Sequence, residues 1–252
     1  MASMSEMLAF HTMPDGRRIA FRQTTGRGPA LVFLPGYKSD MAGGKASALF
    51  DWAREQGRAC LLLDYSGCGE SPGNFADGTL SRWRDEAVAL IEGRCDGPVA
   101  LVGSSMGGWL MLLVAEALGA RVVGLIGVAA APDFTDWSFT AEDKARLKAG
   151  ETVWDANSYG PEPTPTHPRF YADAQAQLRL GGDIALDCPV RLIHGQRDAD
   201  VPCAISLRLS ERLRSDDIQV VLVKDGDHRL SRPQDIALLL GTIASLPGIP
   251  FR

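Results

Sequence analysis

The chain has 252 residues, of which 45% are hydrophobic and 23% are charged, and its formal net charge at pH 7 is -5. This balance is typical of a globular protein and excludes an intrinsically disordered chain. The acidic net charge argues against binding to nucleic acid or to an acidic membrane, and no run of eighteen apolar residues is present that could span a bilayer.

The first predicted element is a β-hairpin. Residues 7–13 and 17–23 read as two strands joined by a Pro-Asp-Gly turn at residues 14–16. Six short apolar runs then follow along the chain, each bounded by turn residues: 30–34, 59–63, 99–102, 122–128, 190–193 and 218–223. Continuous runs of Val, Ile and Leu are typical of strands that are buried on both faces, as in a parallel sheet.

Helices separate the predicted strands. One of them begins with Thr79 or Ser81 as its N-cap, ends near Gly93 and carries one apolar face: Leu80, Trp83, Ala87, Leu90 and Ile91. An earlier helix stops at Gly57. The last helix begins near Pro233 and aligns four apolar residues: Ile236, Leu239, Leu240 and Ile243.

A hairpin followed by alternating strands and helices predicts an α/β fold with a mostly parallel, doubly wound sheet, in one domain over residues 1–252. One stretch, residues 133–187, shows no strand pattern and is rich in proline. Loops of this length are usually functional, which predicts a lid inserted between two sheet strands. The stretch is also rich in aromatic residues: Phe134, Trp137, Phe139, Trp154, Tyr159, Phe170 and Tyr171. These either form an apolar cover over a site or anchor the insertion to the body of the protein.

A G-x-S-x-G motif occupies residues 103–107, after a predicted strand and before a helical pattern. This is the context that a nucleophile elbow requires. The turn would push Ser105 out above the sheet at a helix N-terminus, where unpaired N–H groups favour developing negative charge. The flanking glycines let the strand and the helix approach closely. Ser104, one position off, is expected to point into the turn and is assigned no chemistry.

A serine hydroxyl needs a neighbouring base, and the four histidines differ in position. His11 lies in the hairpin, and His167 lies among prolines in the predicted insertion. His194 ends a strand, where a structural imidazole is expected. His228 follows the last predicted strand, which fits the chain order Ser, acid, His of hydrolases with this elbow. We therefore predict His228 as the base, and a capping or surface histidine is the alternative.

The acid that orients the imidazole should follow the preceding strand, where the sequence supplies Asp198 and Asp200. A carboxylate there fixes the tautomer of the imidazole and stabilises the imidazolium. We favour Asp198, three residues beyond Gly195, over Asp200. Asp227 adjoins the histidine in sequence and is expected to point away from it.

Two backbone amides form the predicted oxyanion hole. Met106 follows the nucleophile and supplies the first N–H. The loop after the first parallel strand supplies the second, from Tyr37, since Gly36 permits the sharp turn that aims this amide inward. The chemistry needs no metal and no cofactor.

The five cysteines indicate the redox compartment. They are scattered along the chain without a C-x-x-C pair, so neither a zinc site nor a disulfide framework is indicated. The first residues show neither a secretory signal nor a transit peptide. Together these features predict a cytoplasmic protein.

Five segments of the chain resemble one family. They are "FLPGYKSDMAGGKA", "LDYSGCGESPGNFADGTLSRWRDE", "GSSMGGWLML", "LIGVAAAPDF" and "CPVRLIHGQRDADVP…DGDHR". In order and spacing they are similar to the α/β-hydrolase branch of palmitoyl-protein thioesterases that also cleave acyl glucuronides, and which are mitochondrial in animals. The resemblance implies the α/β-hydrolase fold, a triad of Ser105, Asp198 and His228, and one of these two activities. Without a mitochondrial presequence, it implies a bacterial relative.

These residues predict a serine hydrolase that cleaves a carboxylic ester or thioester through an acyl-enzyme. The expected substrate is a small-molecule ester or thioester, or an acylated protein. A carboxylesterase for small acyl groups is the alternative enzyme, and a non-catalytic binding protein of the same fold is the alternative from another class. Haloalkane and epoxide hydrolysis use an aspartate nucleophile, whereas this elbow carries serine.

Overall fold

A computed structural model of the chain describes residues 7–157 and 160–247. The strands in this part of the chain are β1 (Ala9–Thr12), β2 (Arg18–Thr24), β3 (Arg27–Leu34), β4 (Arg58–Leu63), β5 (Val99–Ser104), β6 (Val122–Val128), β7 (Val153–Asp155), β8 (Thr164–Thr166), β9 (Val190–Gly195) and β10 (Ile218–Val223). The helices are α1 (Gly44–Glu55), α2 (Leu80–Arg94), α3 (Met106–Leu118), α4 (Phe134–Trp137), α5 (Ala141–Lys148), α6 (Pro168–Ala176), α7 (Ala204–Arg212) and α8 (Pro233–Ala244). All six apolar runs predicted as strands are strands. Across these residues, no helix is both long enough and apolar enough to cross a membrane.

Eight strands form one sheet in the order β1-β2-β4-β3-β5-β6-β9-β10. The predicted hairpin is confirmed, because β1 pairs antiparallel with β2, and β2 in turn pairs antiparallel with β4. From β4 to β10 all pairings are parallel, which confirms a mostly parallel sheet with an antiparallel start. The carboxyl ends of parallel strands share one edge of the sheet, so the loops after β3, β5, β9 and β10 meet there.

The parallel strands are buried on both faces, which explains their continuous apolar sequence. In β3, Val32 and Leu34 belong to the core that also contains the buried faces of α2 and α3. Leu31 and Phe33 belong to a second core, on the side of α1 and α8. The sheet is therefore covered by helices on both sides, as predicted.

Local chemistry sets the ends of the helices. Thr79 caps α2, because its hydroxyl accepts a hydrogen bond from the N–H of Arg82 at 3.1 Å. Of the two predicted caps Thr79 is therefore right, and Ser81 lies inside the helix. After α1, Gly57 adopts a left-handed conformation with φ of 60°. Pro233 is the first residue of α8, where a missing N–H costs no hydrogen bond.

The chain between β6 and β9 leaves the sheet and forms α4, α5, the strands β7 and β8, and α6. The sequence of this stretch shows no strand pattern, yet β7 and β8 pair as an antiparallel two-stranded ribbon. The ribbon pairs Trp154 with Pro165. A three-residue strand with a proline in it has no apolar run for a sequence pattern to detect.

The aromatic residues of the insertion pack mostly inward. Phe170 is 1% exposed and stacks against Phe134 with ring centroids 5.8 Å apart. Tyr171 is 3% exposed and lies in a small separate core within the insertion, with Leu147 and Val153. Trp154 is exposed, and Tyr159 lies outside the described residues. Phe170 also contacts Trp83 of α2, with ring centroids 5.7 Å apart, and this contact with the body favours anchoring of the insertion, the second of the two predicted roles.

The start of α3 packs directly against the ends of β3 and β5. A Cβ atom added to Gly103 would lie 2.3 Å from the carbonyl oxygen of Gly107. A Cβ atom added to Gly107 would lie 1.9 Å from the carbonyl oxygen of Leu34. No carbon atom fits at these distances, so the helix begins on top of the strands only because both positions are glycine.

We expect Gly107→Ala to lower the free energy of unfolding by about 3 kcal/mol, because the new methyl group forces the helix away from the strand ends. Gly241→Ala in α8 is the matched control, since a Cβ there meets no atom within 4 Å. This control should raise stability by about 0.5–1 kcal/mol, the ordinary gain of alanine over glycine in a helix. Urea unfolding measures the stability of both variants. Equal stability would contradict the close contact between Gly107 and the carbonyl of Leu34.

Candidate active site

Ser105 occupies the tight turn between β5 and α3. Its backbone has φ of 55° and ψ of -122°. Such a conformation costs a serine roughly 1–3 kcal/mol and persists only where its surroundings enforce it. Here the N–H of Ser105 donates to the carbonyl of Val128 at 3.0 Å, and its own carbonyl accepts from Gly108 at 2.8 Å and Ala131 at 3.0 Å. These bonds hold the strained residue at the carboxyl edge of the sheet.

Of the three side chains predicted as a triad, His228 lies within hydrogen-bond distance of the other two. Nε2 of His228 is 3.1 Å from Oγ of Ser105, and its Nδ1 is 2.8 Å from Oδ2 of Asp198. A carboxylate only accepts hydrogen bonds, so Nδ1 carries the proton of the neutral ring. Nε2 is then the acceptor for the serine hydroxyl, which is the geometry of a general base next to its nucleophile.

Asp198 is the buried member of this group, with a side chain that is 0% exposed. Its Oδ1 accepts from the backbone N–H groups of Asp200 at 2.9 Å and Val201 at 2.8 Å. Its Oδ2 accepts from His228 and also lies 3.2 Å from Nε2 of His194. Burial by itself raises the pKa of Asp198, but the hydrogen bonds from both histidines outweigh it and hold this pKa below its usual range. The carboxylate is therefore ionised at neutral pH.

The other candidate residues take different positions. His11 lies in β1, at one end of the sheet, and His167 precedes α6 with its Nδ1 3.1 Å from Oγ1 of Thr152. Asp227 accepts a hydrogen bond from a backbone N–H two residues beyond His228, at Leu230. Of the carboxylates weighed for the acid, the structure pairs Asp198 with the imidazole.

The loop after β3 passes beside the serine. A Cβ atom on Gly36 would lie 3.3 Å from Cβ of Ser105 and 3.9 Å from its Oγ, so the peptide that continues to Tyr37 runs next to the hydroxyl. Met106 is the first residue of α3, where a backbone N–H has no acceptor inside the helix. Within residues 7–157 and 160–247, neither the amide of Tyr37 nor that of Met106 donates to a protein group. Both predicted donors can therefore serve an oxygen at Ser105.

The side chain of Tyr37 joins this loop to the insertion. Its hydroxyl donates to the carbonyl of Pro165 in β8 at 2.9 Å. Its ring packs against Phe75 and Phe170, with centroids 5.1 Å and 4.8 Å away. Burial raises the pKa of the Tyr37 hydroxyl, which therefore keeps its proton for this bond. The ribbon and the loop that carries one predicted oxyanion donor are thus held together.

A cavity of about 680 Å³ opens beside Ser105 and His228. Charged residues of both signs line it: Lys38, Lys45 and Arg229, with Asp40 and Asp200. The ribbon side of the insertion contributes three residues, none of them aromatic: Ala156, Asn157 and Thr164. Two of these three side chains are polar, so the described residues of the insertion form no aromatic cover over this cavity.

Lys45, in the first turn of α1, is the least expected charged group of this cavity. It is partly buried, and its ammonium group donates to the backbone carbonyl of Arg229. Burial, with a smaller contribution from the guanidinium of Arg229, lowers the pKa of Lys45 to about 8. No sequence pattern pointed to Lys45, because a lysine at the start of a helix is normally solvated and its neighbours come from a loop far along the chain.

Asp198, Asp200 and His228 each bring one possible metal-ligand atom within 4.8 Å of the others. The carboxylate of Asp198 and the imidazole of His228 are, however, hydrogen-bonded to each other at 2.8 Å. A cation at this point would replace the proton that orients the imidazole. The geometry therefore fits proton transfer better than metal binding.

Comparison with known sequences agrees with this geometry. Residues 31–238 match the family described as "Alpha/beta hydrolase family". The chain is 38% identical over 246 residues to the mitochondrial palmitoyl-protein thioesterase ABHD10 of Homo sapiens, covering 95% of this chain and 79% of that protein. The protein of the same name from Mus musculus is 37% identical over 245 residues, covering 95% of this chain and 82% of that protein.

Solved structures give the same result. A putative hydrolase from Agrobacterium vitis S4 superposes with a TM-score of 0.89 at 37% identity, covering 95% of this chain and 98% of that one. Alpha/beta hydrolase domain-containing protein 10 from mouse superposes with a TM-score of 0.87 at 36% identity, covering 94% of this chain and 96% of that one. Est1E from Butyrivibrio proteoclasticus, with ferulic acid bound, has a TM-score of 0.73 at 20% identity and shows a shared fold alone.

Proposed function

The chain belongs to the alpha/beta hydrolase family, and on this basis we propose that it is a serine hydrolase that cleaves carboxylic esters or thioesters through an acyl-enzyme. The observation that carries the proposal is the hydrogen-bonded series of Ser105, His228 and Asp198 at the carboxyl edge of the sheet. A hydroxyl, an imidazole with its proton on the far nitrogen, and a buried carboxylate are the groups that turn a serine into a nucleophile.

Acylation begins when Oγ of Ser105 attacks the carbonyl carbon of the substrate and Nε2 of His228 takes the hydroxyl proton. The carbonyl oxygen becomes an oxyanion, which the amides of Tyr37 and Met106 stabilise. Asp198 stabilises the imidazolium through its bond to Nδ1. The bond to the leaving group then breaks, and the alcohol or thiol departs with the proton from Nε2.

Water completes the cycle. A water molecule gives a proton to Nε2 of His228 and its oxygen attacks the acyl carbon, with the same two amides holding the oxyanion. The bond between the acyl carbon and Oγ of Ser105 breaks, the proton on Nε2 returns to the serine oxygen, and the carboxylic acid leaves. No cofactor takes part in either half.

We propose a small-molecule ester or thioester, or an acylated protein, as the substrate. The name palmitoyl-protein thioesterase, carried by the human and mouse relatives, supports a thioester of a long acyl chain. The cavity supports the other activity that the family resemblance implies, cleavage of acyl glucuronides. Lys45 and Arg229 line it, and cations of this kind attract the carboxylate of a glucuronyl leaving group. A carboxylesterase for small acyl groups is the competing enzyme.

Replacing the nucleophile tests the chemistry. Ser105→Ala is expected to lower the turnover of a p-nitrophenyl acyl ester by about 10⁴-fold or more, because no covalent intermediate can form. The variant should also fail to react with a fluorophosphonate probe while its circular dichroism stays that of the wild type. Ser104→Ala, one residue earlier, is the matched control and should label normally.

Labelling of the Ser105→Ala variant would contradict the assignment of the nucleophile. A folded wild-type protein that neither labels nor turns over any ester would instead support the non-catalytic binding protein.

The acyl group is tested with a chain-length series. We expect oxygen esters and thioesters from acetyl to palmitoyl to be cleaved with kcat/KM rising toward the long chains, since each added methylene buries further apolar surface worth up to ~0.8 kcal/mol. A maximum at acetyl or butyryl would contradict the depalmitoylase and support the small-acyl carboxylesterase.

The leaving group is tested with an acyl glucuronide and its methyl ester, which differ only in the charge of the sugar. We expect the free carboxylate to be preferred by about tenfold, the value of one charge-assisted hydrogen bond. Because the pKa of Lys45 is about 8, the ammonium is charged below this pH, and the preference should fade as the pH rises above it. In Lys45→Met the ratio should be lower and no longer fade above pH 8, with Arg229 sustaining any preference that is left. The same change at exposed Lys148 in α5 is the control, and an unchanged ratio in Lys45→Met would contradict a role of Lys45 in recognition.

A further inference from the structure

His194 is a buried, titratable residue next to the acid Asp198, and it has no role in the reaction described above. It is the penultimate residue of β9, and its side chain is 0% exposed. Nε2 of His194 lies 2.9 Å from the carbonyl oxygen of Val201 and 3.2 Å from Oδ2 of Asp198. On its other side, Nδ1 is 2.7 Å from Oγ of Ser206 in α7.

These partners determine where the ring carries its proton. Nε2 faces a carbonyl and a carboxylate, which can only accept, so the proton sits on Nε2, which donates a hydrogen bond to the carbonyl of Val201 at 2.9 Å and also faces Oδ2 of Asp198 at 3.2 Å. Nδ1 has a lone pair, which accepts the hydroxyl proton of Ser206. Because Ser206 is also 0% exposed, the ring is fixed from both sides by groups that water does not reach.

We propose that His194 is a positioning residue of the hydrolase: its Nε2–H keeps Oδ2 of Asp198 directed at His228 and sets how strongly this carboxylate holds the His228 imidazolium. The inference rests on the proposed function and extends it to a fourth side chain. The sequence predicts a structural role for His194, and in this proposal that structural role also affects catalysis.

The carboxylate of Asp198 has four partners, two backbone N–H groups on Oδ1 and two imidazoles around Oδ2. A carboxylate saturated in this way has one orientation, which preorganises the bond to His228. The donor from His194 also draws charge from Oδ2, in keeping with the lowered pKa of Asp198. Without it, Asp198 becomes a stronger base and favours the protonated His228.

Other charged groups lie around His228: Asp200, with a carboxylate oxygen within 4.8 Å of the imidazole, Asp227 and Arg229 on either side of it in the sequence, and Lys45 of α1, whose ammonium donates to the carbonyl of Arg229. Substitutions at position 194 leave all of them in place. A change in the pH profile of such a variant therefore reports the lost Nε2–H.

The experiment compares variants of His194 that differ in one donor. His194→Gln can place an amide N–H near the position of Nε2, whereas His194→Met fills a similar volume without a donor. We expect His194→Met to lower kcat by about tenfold. The acidic midpoint of its kcat/KM profile should move up by roughly half a pH unit, because more of the base is protonated. In His194→Gln, both kcat and the acidic midpoint of the kcat/KM profile should return most of the way to the wild-type values.

A readout without substrate separates this inference from the proposed function. The downfield proton resonance of the bond between Asp198 and His228 should shift in His194→Met and return in His194→Gln, whether or not the ester tested is a good substrate. Where the methionine variant does not fold, His194→Asn replaces it, since its shorter amide reaches toward Ser206 and not toward Asp198.

Two outcomes would overturn the inference. Either the donor and non-donor variants share the wild-type acidic midpoint and the same proton resonance, or they differ from the wild type by equal amounts. Either result would show that His194 is only a packing residue. Normal labelling of Ser105 by the fluorophosphonate probe in the same variants would still support the proposed serine hydrolase.

Discussion

The contact on which this structure depends is the close approach of α3 to the ends of β3 and β5. Gly103 and Gly107 allow it, since a Cβ atom at either position would overlap a carbonyl oxygen. The approach forces the chain to reverse within one residue, and that residue is Ser105, held at φ of 55°. The same reversal leaves the N–H of Met106 at the start of a helix, pointing away from any intrahelical acceptor. Packing of two glycines thus creates both a strained serine and, next to it, a helix N-terminal amide of the kind that attracts anions.

The rest of the site depends on a buried negative charge, the carboxylate of Asp198, and on the groups that donate hydrogen bonds to it. Asp198 carries a negative charge without exposure to solvent, and such a charge is tolerated only because it is saturated with donors. Two of the donors are backbone amides and two are imidazoles, so one carboxylate links His228, which faces the cavity, to His194, which is sealed inside. Since donors were supplied during folding, they need no rearrangement when charge moves in the reaction.

The insertion takes part in this arrangement through Tyr37. The backbone of Tyr37 lies beside Ser105, while its side chain is held by Pro165 of the ribbon and by Phe170 of α6. Aromatic residues of the insertion are therefore used mainly to fix its position on the body. What the described part of the insertion presents to the cavity is mostly polar, and the facing wall carries Lys45. Specificity for the leaving group would then depend on charge.

The sequence by itself determined the sheet, its antiparallel start, the elbow at Ser105 and the candidates for base and acid. These depend on local patterns: unbroken apolar runs, glycines at fixed spacing and the order of residues along the chain. The tertiary structure pairs the imidazole with Asp198, the acid that the sequence already favoured, and it alone decided that the insertion contains a ribbon and that His194 and Lys45 border the site. The physical reason is that these contacts join residues from separate strands and loops, and distances across a sheet edge leave no period or motif in the sequence.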